Sequence, residues 1–143
     1  MPPMLVRGVA LALGATLAAL SALHVYWAVR GVGGGAAIPT RADGSPVLRP
    51  GVPTTLAVAA LLALACLIVL GRAGAVSLPV PPAMLRVGTW GICFTFVART
   101  IGDFRYAGIF RRVKGTPFAR WDARLFTPLC AAMAAASAVV AWN

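Results

Sequence analysis

VARTIGDFRYAGIFRRVKGTPFARWDAR, Val97 to Arg124, holds seven of the chain's thirteen basic residues and two of its three acids, yet an apolar run lies on either side of it. A soluble protein has little reason to set such a block between two nearly uncharged stretches. A membrane protein has one. Loops rich in Lys and Arg stay on the cytoplasmic side, so this block orients every other segment.

The composition agrees. Of 143 residues, 60% are hydrophobic and 11% charged, against roughly 25% charged in an average soluble domain. There are too few charges to cover a soluble surface. The net charge of +10 falls in loops and helix ends, which reads as topology and not as a nucleic-acid footprint. The three cysteines, Cys66, Cys93 and Cys130, each sit inside an apolar run and form no C-x-x-C pair. They read as small buried hydrophobes, with no disulfide framework and no zinc signature.

Working outward from the basic block, the pattern predicts an all-α, four-transmembrane-helix bundle in one domain. The spans are 4–27, 54–70, 84–102 and 125–142, and a basic loop covers 103–124. About 20 helical residues at 1.5 Å each cross a bilayer core of about 30 Å. Thr54, after Pro53, is placed as the N-cap of the second span. The first loop, rich in Gly31, Gly33, Gly34, Gly35, Pro39, Pro46 and Pro50, reads as turns without helix. Gly14, Ala18 and Ala22 form a small-residue stripe suited to close helix contact, and span four is rich in alanine.

Four spans put Arg7, Arg72 and Arg86 on one side. Arg30, Arg41, Arg49, Arg99, Arg105, Arg111, Arg112, Lys114, Arg120 and Arg124 fall on the other. The second side is therefore expected to be cytoplasmic, with both termini periplasmic. Reading the first span as a cleaved signal peptide, with a small-residue site at Ala19-Leu20-Ser21, would put the large basic loop outside and invert this bias.

Topology alone then gathers scattered polar groups at one depth. They are His24 and Trp27 from span one, Arg99 and Asp103 at the end of span three, and Arg105, Tyr106, Trp121, Asp122 and Arg124 from the basic loop. Ionisable residues at a membrane edge are costly, which makes them candidate site residues. Arg99 and Asp103, four apart, share a face on a continuing helix and are expected to pair. His24 can serve as an acid or base, a hydrogen-bond anchor or a ligand. Without further nitrogen or carboxylate donors no metal site is read, and no cofactor fingerprint, P-loop, H-E-x-x-H or nucleophilic triad is present.

The segments His24-Val25-Tyr26-Trp27, Gly33-Gly34 with Ile38-Pro39, and Arg99-x-Ile101-Gly102-Asp103-Phe104-Arg105-Tyr106 stand out. So do Thr116-Pro117-Phe118-Ala119-Arg120-Trp121-Asp122-Ala123-Arg124-Leu125 and Pro128-Leu129-Cys130. In these segments the chain resembles an uncharacterised family of small bacterial four-span integral membrane proteins, domain of unknown function family 3995. The likeness runs from about Leu11 to Trp142. It implies a bacterial inner-membrane protein and brings no substrate or catalytic residue with it.

Three functional readings follow. The first is a module that binds or moves a small anionic molecule or lipid headgroup, with Arg99 and Arg105 holding the anion and His24 and Asp103 setting protonation. The second is a membrane enzyme using His24 with Asp103 as its orienting partner. The third is an accessory subunit whose small-residue stripes pack on a larger membrane protein, with a homo-oligomer as a separate partner expectation. The partners expected are the lipid bilayer, with the basic loop drawing anionic headgroups, and no nucleic acid.

Overall fold

The computed structural model describes residues 1–32 and 36–143. Gly33, Gly34 and Gly35, with the part of the resemblance that falls on them, lie outside the described residues. Within those described, regular structure is helical, apart from one bridge between Thr40 and Pro46 in the first loop. The helices are α1 (Pro3–Arg30), α2 (Val52–Arg72), α3 (Pro82–Ile101), the short α4 (Pro117–Trp121) and α5 (Thr127–Trp142). A single π-helical turn, Asp122–Phe126, joins α4 to α5.

Proline sets where the helices start. Pro3, Pro53, Pro82 and Pro117 lie in the first two positions of their helices, where the missing N–H has no partner to lose. Thr54 is not the cap of α2. Gly51 holds that position in extended conformation, one residue ahead of the helix, because Pro53 fits the first turn and carries the start back past Thr54. Glycine ends α1 and α3: Gly31 has φ +81° and Gly102 φ +89°, a region open to glycine without steric cost.

Two larger differences from the sequence reading concern the final helix and α3. The final helix does not wait until residue 125. The Thr116 hydroxyl accepts a hydrogen bond from the Ala119 N–H at 3.1 Å, and Pro117 is pre-set for the first turn, so helix begins there. Pro117–Trp142 is then one apolar rod of 26 residues, and Trp121, Asp122 and Arg124 sit on it and not in a loop. The second difference concerns α3. α1, α2 and Pro117–Trp142 are long and apolar enough to cross a membrane. α3 has a similar length, 20 residues, but falls short in hydropathy because Arg86, Arg99 and three threonines dilute it.

The four long helices form a ring. α1 packs on α2, α3 on α5, α2 on α3 and α1 on α5, while α2 touches α5 across the middle. Cross-links show that α1 and α2 run antiparallel. The Ser21 hydroxyl donates to the Ala59 carbonyl and the Cys66 thiol to the Gly14 carbonyl, so residues late in one helix meet residues early in the other. Ala10, Leu13, Leu17, Val69, Met133 and Val140 form the shared core.

Small residues set the spacing of the ring. A Cβ at Gly14 would stand 2.9 Å from Leu70, and one at Gly88 3.1 Å from Ile68. The stripe Gly14-Ala18-Ala22 therefore divides: Gly14 is buried against α2 within the chain, while Ala18 and Ala22 face outward. Only 22%, 17% and 33% of the three spanning windows are buried, and their outer faces carry Leu11, Leu61, Leu64 and Leu67. That is the inverse of a soluble bundle and suits helices solvated by lipid.

Candidate functional site

The end of the bundle that carries ten of the thirteen cations is organised by one acid, Asp122, whose side chain is fully buried. Its Oδ1 accepts from Arg99 Nη2 at 2.6 Å. Its Oδ2 accepts from the Gly108 N–H at 2.8 Å, Thr127 Oγ1 at 3.0 Å and Arg111 Nη1 at 3.2 Å. A carboxylate out of water is costly unless its lone pairs are met, and here four donors meet them.

The π-helical turn makes this possible. The Thr127 N–H reaches back five residues to the Asp122 carbonyl. The wide turn lies where, in a regular helix, the Pro128 ring would press on the Arg124 carbonyl. Widening brings the Thr127 hydroxyl onto the Asp122 carboxylate, five positions away.

The loop after α3 folds back to supply the remaining donors. Gly102 and Gly108 lie back to back. A Cβ on Gly102 would fall 1.9 Å from the Ala107 carbonyl oxygen, and one on Gly108 2.5 Å from Gly102 Cα. Both have φ near +87°, at +89° and +85°. Ile109 closes the loop by donating its N–H to the Thr100 carbonyl at 2.9 Å. Inside the loop Asp103 Oδ1 accepts from the N–H groups of Arg105, Tyr106 and Ala107 at 3.0, 2.7 and 2.9 Å. Partial burial pushes the Asp103 carboxyl up, but these three amide bonds outweigh it and hold it below the ordinary carboxylate value. Phe104 takes φ +61° in this turn and stacks on Phe110 at 5.9 Å.

The expected Arg99–Asp103 pair does not form. α3 stops at Ile101, and Gly102 turns the chain, so Asp103 no longer shares a helical face with Arg99. Asp103 serves its own loop, and Arg99 crosses to Asp122. Asp103 does not orient His24 either. His24 Nδ1 lies 2.7 Å from the Leu20 carbonyl. A carbonyl only accepts, so Nδ1 carries the hydrogen, and in the neutral ring Nε2 is left as an acceptor.

Three of the predicted residues meet at a cavity of about 220 Å³ between α1, α3 and the final helix. His24 and Trp27 come from α1, where their rings meet edge to face at 5.0 Å, and Arg99 comes from α3. Cys130 and Ala37 add to the wall, and the remainder is apolar, with Leu20, Leu129 and Met133 among it. Arg99 Nη1 is buried without a hydrogen-bond partner among the described residues. A neighbouring cavity of about 140 Å³ shares His24, Trp27 and Ala37 and runs toward Pro50 and Val58.

The other predicted residues lie outside this wall. The Arg105 guanidinium sits 5.2 Å from the Tyr106 ring centroid, a cation–π contact within the loop after α3. Trp121 and Arg124 are exposed on the final helix. Arg111, Gly108 and Thr127 belong to the site through Asp122 and are not singled out by sequence. Arg111 reads there as one of several loop cations, and a Thr five residues after an Asp matches no helical spacing. Among the described residues no three His, Cys, Asp or Glu side chains gather as metal ligands.

No curated protein and no solved structure matches the chain. Residues 17–137 match a family described as protein of unknown function, DUF3995. That stretch takes in His24, the glycine-closed loop, Asp122 and the cavity they surround, and the chain belongs to the DUF3995 family.

Proposed function

We propose that this protein is a membrane-embedded binding module that holds a small anionic molecule or lipid headgroup in the cavity beside Arg99. One observation carries the reading: a guanidinium nitrogen, Arg99 Nη1, is buried and unpartnered on a residue that lines an otherwise apolar cavity with His24. An unmet cationic donor is costly to bury, and although Nη1 is closed off from water as it stands, a small shift of the wall would let an oxyanion meet it with a charge-assisted hydrogen bond. Asp122 fixes the other face of the guanidinium, so Arg99 is held ready. Arg105 and the exposed loop cations serve at the rim, drawing anions toward the surface.

The proposal includes a bacterial inner membrane as the setting, with the basic end cytoplasmic and both termini periplasmic. The ten-to-three division of cations between the two ends supports it. α3 serves as the fourth span, with Arg86 in its first turn, where a long stem can reach the interface, and Arg99 in its last, paired with Asp122.

The test is native mass spectrometry and thermal unfolding of the full chain purified in mild detergent. Arg99→Ala alone leaves Asp122 short of a partner, so the paired variant Arg99→Ala/Asp122→Asn is included. Loss of co-purifying anionic species and of anion-induced thermal shifts in both variants is expected. Unchanged retention in the paired variant would sink the reading.

A further inference from the structure

The ligand class follows from charge and shape at the same site. We infer that the cavity takes a monoanionic amphiphile: one carboxylate or phosphodiester group joined to a slim apolar body. This rests on the binding reading above and narrows it.

Charge limits the head. Arg99 and Arg111 both pair with the buried Asp122 while remaining 34% and 16% exposed themselves, so two positive charges face one negative there. The chain's other acids are engaged elsewhere: Asp43 accepts from the Ser45 N–H and hydroxyl in the first loop, and Asp103 caps its own turn. One unit of positive charge is left over between Arg99 and Arg111, and Arg99 Nη1 lacks a partner among the described residues. A single negative charge balances it, whereas a dianion would leave an excess to bury. His24, with Nδ1 donating to Leu20, presents an acceptor while neutral. An acceptor cannot bond a deprotonated head, which has no hydrogen to give, so His24 shapes the wall beside Arg99 and does not itself hold the anion.

Shape limits the body. Leu20, Leu23, Phe118, Phe126, Leu129 and Met133 supply most of the wall, so a fully hydrated ion gains little there. The volume of about 220 Å³ lies below the roughly 300–1,000 Å³ usual for drug-sized ligands. It fits one narrow chain or the head end of one. Leu23 is 38% exposed on the outer face of α1, so the wall reaches the lipid-facing surface, where a tail can continue into the bilayer.

Decanoate is the probe, with decanol as the control for the body without the charge and acetate for the anion without the body. The full chain is held in a non-ionic maltoside detergent, which carries neither carboxylate nor phosphate, and binding is read by native mass spectrometry and the thermal midpoint. One decanoate per chain is expected, with decanol and acetate weaker by at least about tenfold, as the loss of a charge-assisted hydrogen bond or of the apolar contacts implies. Ala37→Trp, which adds a large side chain to the cavity wall from a loop position and leaves Arg99 and Asp122 in place, is expected to abolish it. Added phosphatidylglycerol then assigns the source. Displacement of decanoate points to a bilayer lipid, and failure to displace points to a free single-chain anion; either supports the class. Equal binding of decanol overturns the monoanion and leaves the binding module standing. Decanoate binding unaffected by Ala37→Trp overturns the site. No binding by any probe, with the retained species of the wild type still lost in Arg99→Ala/Asp122→Asn, overturns the ligand class alone.

Discussion

Arg99 and Asp122 are 23 positions apart and meet at 2.6 Å, one at the end of α3 and the other inside a widened turn of the final helix. The pair joins the basic loop, the last helix and the cavity wall into one unit. It also leaves Arg99 Nη1 without a hydrogen-bond partner among the described residues.

Asp122→Ala removes the acceptor for two arginines, one amide and one hydroxyl. The cations left unpaired in a partly dry site set the cost, about 3–5 kcal/mol. A large fall in thermal midpoint in detergent checks this. Thr127→Val, which deletes a single donor to the same carboxylate, should cost about 1 kcal/mol.

Gly102→Ala and Gly108→Ala each add a Cβ where backbone already stands, at φ values that side chains avoid. Each is expected to destabilise by about 3 kcal/mol or more, from strain and overpacking together. Gly44→Ala, also at positive φ but with open space around it, should cost only the conformational part, about 1 kcal/mol. Unfolding of the three variants side by side separates the clash from the dihedral.

The Asp103 carboxyl is held below its unfolded value by loop amides. A depressed carboxyl contributes stability above the unfolded value of about 3.9, and loses it as pH falls through the folded one. The 103–108 turn should therefore loosen only in acid, below about pH 4. Asp103→Asn should flatten that acid limb of the thermal midpoint and leave the neutral-pH site unmoved, since Asp103 does not touch the cavity.

Thr116→Ala deletes the side-chain cap at the start of the final helix and should cost about 1 kcal/mol. Hydrogen exchange at Phe118 and Ala119 should rise first, because their N–H groups lie in the turn that the cap closes.

Lys114→Cys, in a chain whose Cys66, Cys93 and Cys130 are replaced by alanine, should resist an impermeant thiol reagent added to intact cells and react after the cells are opened. Labelling from outside would reverse the proposed orientation. A cysteine at Ser77, in the opposite loop, should show the reverse pattern.

Much of this protein could be read from one dimension. Apolar runs of spanning length, prolines at helix starts and the uneven division of arginines set the helical class and the two unlike ends. They also brought His24, Trp27 and Arg99 to one depth, because antiparallel helices return the chain to the same end whatever their packing. The partners of those residues were another matter. Arg99 has an acid four residues ahead and another 23 ahead. Helical spacing favours the near one, and only the glycine turn at Gly102 and the folded-back loop give it to the far one. Asp122 and Thr127 touch across five residues because Pro128 forces a wide turn that no regular period contains. Local sequence settles which segments are helical and which way they run, since those depend on neighbours along the chain. Which charge meets which, and which nitrogen is left without a partner, depends on helices packed across space, where burial makes each unmet polar group costly.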